Sequence, residues 1–188
     1  MQGIENFPPA ATEYATRTDF CRTFKQDMKS LYLLSLLLTA GRHSAEQCFV
    51  SSLGDCLDMR PVLKEWADSW TRRVVLQNAI RMLKPAVNNA DKASQPDLNS
   101  IPSGLNPALQ AVVQLGHFER FVLVMTVLEG YSDHECSLLL KSSKRDVAAA
   151  KAKALAHLGA TSGPNELPVA APHAERQLTA IDNRQSTV

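Results

Sequence analysis

The chain has 188 residues, enough for one domain or two small ones, and its 45% hydrophobic and 21% charged content is that of a soluble globular protein. A formal net charge of +1 excludes bulk attraction to nucleic acid, so any such affinity must come from local patches. Aromatic residues make up only 6%, which argues against a β-rich fold and against a single-strand binder built on aromatic platforms.

Residues 1–16 hold Pro8, Pro9 and few large apolar groups, so they are expected to form a disordered arm. They lack the basic stretch and apolar core of a secretory signal. From Thr18, Phe20, Phe24, Met28 and Leu31 recur at helical spacing, and the pattern runs on through Leu34 and Leu38 until Gly41. The apolar run Leu31–Leu38 is too short to span a bilayer, which takes about 20 residues, and predicts a buried core helix. Ser44 and Gln47 have the spacing of a capping box and predict a third helix to about Leu57. Pro61 suits the first turn of a fourth, which carries Trp66, Trp70, Val74, Leu76, Ile80 and Leu83 and stops at Pro85. The tryptophans share a face with Val74 and are expected to be core anchors. Arg73, Gln77, Arg81 and Lys84 form a polar stripe expected on the opposite side, which suits either phosphates or plain solvent.

Residues 85–107 are rich in Pro, Asn, Ser, Asp and Gly and predict a flexible linker. Helices resume at Ala108, and Phe118, Phe121, Val122, Met125 and Leu128 mark the core face of a helix ending at Gly130. Two capping-box spacings follow, Ser132 with Glu135 and Ser143 with Asp146. Cys136, Leu139 and Leu140 give the first helix an apolar face; Val147, Ala150, Ala154, Leu155 and Leu158 give the second a stripe. Only Lys141 and Ser142 separate Leu140 from the second cap, a break short enough for a helix-turn-helix. The second helix opens with Lys144 and Arg145, and Lys151 and Lys153 follow. Small residues at Ala148, Ala149 and Ala152 would let it enter a major groove. The same pattern also suits a solvated helical hairpin. Residues 160–188 turn polar and proline-bearing and are expected to be a disordered tail.

The fold class is therefore all-α: two small helical bundles, 17–84 and 108–159, joined by a flexible linker, the C-terminal one a helix-turn-helix. Cys21, Cys48, Cys56 and Cys136 form no CxxC pair, and His43 beside Cys48 lacks a second ligand pair, so structural thiols in a reducing cytoplasm and no metal are expected. The five histidines are scattered. No Ser-His-Asp order, Gly-rich phosphate loop or diagnostic carboxylate pair occurs, so neither an enzyme nor a cofactor is expected.

The order of parts resembles that of bacterial RNA polymerase sigma factors of the extracytoplasmic-function class, over roughly residues 18–158. The resemblance is most specific where Glu129, Gly130, Tyr131, Ser132, Glu135, Leu140, Ser143, Val147, Ala154 and Leu158 fit the family's promoter-reading segment. It is looser over LYLLSLLLTAGRHSAEQCFVSSLGDCL, which is similar to the family's second-region helices. It implies core RNA polymerase and promoter DNA as partners, an anti-sigma factor as a further one, and no membrane insertion. It implies polymerase contacts at Glu46, Gln47, Val50 and Ser51. DNA contacts are implied at Ser143, Lys144, Arg145, Ala148, Ala149 and Lys151 in the hairpin, and at Arg73, Gln77 and Arg81 near the melted strand. Several positions depart from the family. Gln47 stands for an aspartate, Val50 and Ser51 for a Gln-Glu pair, Lys141 for a turn glycine, and Ala150 and Lys151 for an arginine and a leucine. Two functions follow: a sigma factor that directs polymerase to promoters, or a sigma-like adaptor that binds polymerase or an anti-sigma factor without reading DNA.

Overall fold

A computed structural model describes residues 13–58, 61–87 and 106–161. The expected linker and tail fall largely outside the described residues, as do the first twelve positions of the expected arm. The architecture is all-α, and among the described residues the only β pairing is an isolated antiparallel bridge between Tyr14 and Leu63.

The first half comprises α1 (Arg17–Gln26), α2 (Met28–Thr39), α3 (Arg42–Asp58) and α4 (Ala67–Leu83). Thr16 caps α1: its side chain accepts from the Asp19 amide at 3.2 Å, and its own amide donates to the Asp19 carboxylate at 2.9 Å. The helical pattern from Thr18 is two helices, not one. The chain breaks at Asp27 (φ −100, ψ 15), where the amide closes α1 on Thr23 and the carbonyl opens α2 to Leu31. Phe20, Phe24 and Leu31 are buried on either side of the break, whereas Met28 beside it is 54% exposed. Apolar spacing that carries across a break does not reveal it.

Two other boundaries also differ from expectation. Helix α3 starts ahead of Ser44, because Ala45 N–H donates to the Gly41 carbonyl at 2.8 Å. Pro61 lies outside α4. Ala15 N–H donates to Val62 at 2.7 Å and Lys64 N–H to Glu13 at 2.9 Å, which holds 62 and 63 extended until a 3-10 turn at Lys64–Trp66 leads into the helix. Lys84 (φ 45) then caps α4 in the left-handed region, with Pro85 directly after it.

The inner face of α3 is small (Ala45, Cys48, Ser52 and Cys56), so α3 lies close to α2 and α4. Asn78 of α4 spans that contact, donating to Ser52 Oγ at 3.1 Å and Asp55 Oδ2 at 3.0 Å. Such a buried amide costs stability unless paired, and here it is paired.

The second half comprises α5 (Pro107–Gln114), α6 (His117–Leu123), α7 (Asp133–Leu139) and α8 (Lys144–Thr161). Asn106 caps α5 with Pro107 in its first turn. Helix α6 ends in a π-helical turn, Val124–Leu128, closed by Glu129 N–H on the Val124 carbonyl at 3.0 Å. The wider turn carries one extra residue per turn and rotates the positions after it. Leu128, expected on the core face, is therefore 51% exposed. Helix α8 packs against α5, α6 and α7 through Val147, Ala150 and Ala154, while Leu155 of the expected stripe is 47% exposed.

The buried residues of both halves form one continuous cluster, with α2 lying against α5 and α6. At this junction Arg120 of α6 is completely buried. It donates to the carbonyls of Leu38 at 3.2 Å, Val113 at 3.1 Å and Leu115 at 2.8 Å.

Candidate nucleic-acid interface and the cleft between the halves

The turn between α7 and α8 is built by identifiable local bonds. Ser132 caps α7: its hydroxyl accepts from Glu135 N–H at 3.2 Å and its amide donates to the Glu135 carboxylate at 2.8 Å. The Ser132 hydroxyl also donates to the Glu135 carboxylate at 2.7 Å, and this bond, with the one from the amide, holds that carboxyl below its ordinary pKa. Helix α7 closes with Ser142 N–H on the Ser137 carbonyl at 3.0 Å and Lys141 N–H on Leu138 at 3.4 Å, around Lys141 at φ 51. That is a Schellman closure with lysine where glycine is easiest. Ser143 then repeats the capping box with Asp146, at 3.1 and 3.3 Å.

This turn leaves the first turns of α8 outward. Ser143, Lys144, Arg145, Ala148, Ala149 and Ala152 are exposed on one side, and Val147, Ala150 and Ala154 are buried on the other. Lys151 sits on the border, its Nζ 3.6 Å from Asp133 of α7. Lys153 is drawn towards α6, its Nζ 2.6 Å from the Glu119 carboxylate. The cations brought together on the outward face are thus Lys144 and Arg145.

On α3, Glu46, Gln47, Val50 and Ser51 are all exposed on one face, opposite Ala45, Cys48 and Ser52. Arg42 pairs with Glu46 one turn on, at 3.6 Å. Val50 is 66% exposed, a large apolar group in the middle of this surface.

The stripe on α4 differs from its expectation. Trp66, Trp70, Arg73 and Gln77 follow one another at helical i, i+4, i+7 and i+11 spacing, so tryptophans and cations share a side rather than opposing one another. Trp66 is 56% exposed and is no core anchor; Trp70 packs partly against the core. Arg81 pairs with Asp55 of α3, which holds it against the first half.

Trp66, Trp70 and Arg73 form one wall of a cleft of about 620 Å³; Leu128, Tyr131 and Glu135 form the other. The cleft therefore lies between the halves. At its floor Arg72 grips Glu129 with two bonds, one from Nε at 2.7 Å and the other from Nη2, and reaches Ser30 of α2 from Nη1 at 3.0 Å. The Glu129 side chain is only 5% exposed. Burial raises the pKa of Tyr131 beside it.

Sequence reasoning missed Arg72 and Arg120, which join the halves by polar bonds. Arg120 carried a signal, a cation inside the apolar run FERFVLVM. Arg72 carried none, since only the fold brings it to Glu129. Of the cysteines, Cys48, Cys56 and Cys136 are buried and Cys21 is exposed, and all are free. Burial pushes the thiols of Cys56 and Cys136 up to about 11. Among the described residues no cluster of His, Cys, Asp or Glu could hold a metal ion, and no helix is long and apolar enough to cross a membrane.

No family model matches the chain, and no curated protein does. A solved structure of similar fold is the sigma factor RpoE in complex with the anti-sigma factor NepR from Bartonella quintana. It is 15% identical, with a TM-score of 0.48, over 79% of this chain and 99% of that one. At that distance the likeness assigns neither an activity nor a partner to this chain.

Proposed function

We propose that the protein is a sigma-like transcription initiation factor. It binds core RNA polymerase through the α3 face of Glu46, Gln47, Val50 and Ser51. It sets α8 on the minus-35 element through Ser143, Lys144, Arg145, Ala148, Ala149 and Lys151, and presents Arg73, Gln77 and Arg81 to the minus-10 element. It acts without a cofactor, in the cytoplasm. The observation that carries this reading is the turn itself. Two capping boxes and a left-handed closure present a helix whose first turns are small and cationic on the outside and apolar on the inside. A helix reads the major groove from its N-terminal residues, and arginine or lysine there meets phosphates and guanine edges. The deciding experiment is run-off transcription with core polymerase across a promoter library. A transcript that needs this protein supports the reading; none across the library overturns it.

One observation favours a second reading, a sigma-like adaptor that binds polymerase or an anti-sigma factor without reading DNA. The halves are joined by Arg72–Glu129 and by Arg120, and Lys151 and Lys153 are committed to carboxylates of this chain. Pull-down of polymerase subunits, with no salt-dependent binding to duplex DNA, would select it.

A further inference from the structure

The cleft between the halves has two apolar walls and a polar floor. Trp66, 56% exposed, and Trp70 stand on the α4 wall; Leu128, 51% exposed, and Tyr131 stand on the other. At about 620 Å³ it falls in the size range of small-molecule sites, about 300–1,000 Å³. Walls of this composition suit a flat ring, since aromatic groups bury large areas against one another in offset or edge-on contact.

The charges decide the sign of the occupant. Four charged side chains line the cleft, Arg72, Arg73, Glu129 and Glu135. Three of them are committed within the chain. Arg72 and Glu129 hold each other by two bonds, and the Glu135 carboxylate accepts from the Ser132 amide at 2.8 Å and hydroxyl at 2.7 Å. Arg73 is exposed and bonded to no carboxylate among the described residues. Burial raises the pKa of Tyr131, and the Arg73 charge works against that from the other wall. A cation entering the cleft would meet Arg73 and find both carboxylates already taken. A nucleic-acid strand needs a row of cations, and Glu129 and Glu135 would repel each phosphate after the first. A single carboxylate meets Arg73 alone, whose planar fork matches its two oxygens.

We propose that this cleft binds a small aromatic acid, its ring between Trp66 and Trp70 on one side and Leu128 and Tyr131 on the other, its anionic group on Arg73. The walls belong to different halves, so the bound ring ties α4 to the segment that leads into α7. The inference is independent of any role in transcription. Its test contains neither polymerase nor promoter, so either can fail without the other.

The probe is 1-anilinonaphthalene-8-sulfonate, a fluorescent aromatic anion, titrated into the full chain beside its uncharged counterpart N-phenyl-1-naphthylamine. Dye emission reports binding, and variants locate it. The anion is expected to saturate at one per chain and to be displaced by 1-naphthoate. Arg73→Ala should weaken it by roughly tenfold or more, the loss of a charge-assisted pair, while leaving the uncharged dye unaffected. Leu128→Glu, which adds a negative charge to the facing wall, should also weaken the anion. An anion affinity unchanged by Arg73→Ala overturns the proposal, as does an equal loss of both dyes. A single-stranded oligonucleotide that displaces the dye at lower concentration than 1-naphthoate overturns it too, by assigning the cleft to nucleic acid. Should Arg73→Ala unfold the chain by far-ultraviolet dichroism, Arg73→Gln decides in its place, since it keeps the length of the side chain and removes the charge.

Discussion

Arg120 of α6 donates its Nε to the carbonyl of Leu38, in the last turn of α2, 3.2 Å away and wholly out of water. A helix leaves its final carbonyls without internal partners, and here the other half of the molecule supplies one. The same guanidinium takes the Val113 and Leu115 carbonyls, so one side chain ties α2, α5 and α6. Burial pulls its pKa down to about 10, which still leaves it charged at neutral pH.

Arg120→Ala is expected to destabilise the chain by about 3 kcal/mol or more, from a cavity and from carbonyls left unpaired. Arg120→Met fills most of the volume but leaves the carbonyls bare, so its loss should be smaller, about 1–3 kcal/mol. Urea unfolding of both variants separates the packing contribution from the polar one.

The Arg72–Glu129 pair should show a coupling energy of about 1–3 kcal/mol in a double-mutant cycle of Arg72→Ala and Glu129→Ala. The carboxylate is nearly buried and bidentate, so this coupling should persist in salt that would screen a surface pair. Equilibrium unfolding at low and high salt provides both readings.

Lys141→Gly is expected to stabilise the protein by about 0.5–1 kcal/mol. Lys141 stands at φ 51, where a Cβ is strained; glycine relieves the strain but adds freedom to the unfolded chain. A higher urea midpoint with an unchanged m-value would register it.

Asp19 gives the acid limb of stability a specific origin. Hydrogen bonds from Thr16, then Lys64 and Arg22, lower its pKa from 3.8 to about 2. Its folded pKa lies below its unfolded one, so its contribution is complete above pH 3.8 and is lost as pH falls towards 2. Asp19→Asn should flatten the stability profile across that window and leave the slope above it unchanged, as measured by unfolding at a series of pH values.

Replacing both Lys144 and Arg145 by alanine tests the outward face of α8 in the full chain. Loss of two phosphate contacts should reduce the slope of log affinity against log salt by about 1.8. Both residues are exposed and outside the core, so far-ultraviolet dichroism should not change. An unchanged slope would remove this face from DNA binding.

Local signals in the sequence were enough for the hairpin and for the all-α class. Ser132 with Glu135 and Ser143 with Asp146 are bonds between residues three apart, so their spacing is the interaction itself. The outward positions of Glu46, Gln47, Val50 and Ser51 likewise follow from helical period alone. The break at Asp27 and the π-helical turn before Glu129 were not legible, because apolar spacing continues through the first and the second is a widening by one residue. Tertiary structure alone decided how the halves meet. Arg72 and Glu129 are 57 residues apart, and Arg120 and Leu38 are 82 apart. No local pattern encodes a pair that forms only when distant stretches of the chain pack into one core. The open side of Trp66 was decided in the same way. An apolar side chain at helical spacing is buried only if another element covers it, and what covers a helix face is a property of the assembled fold.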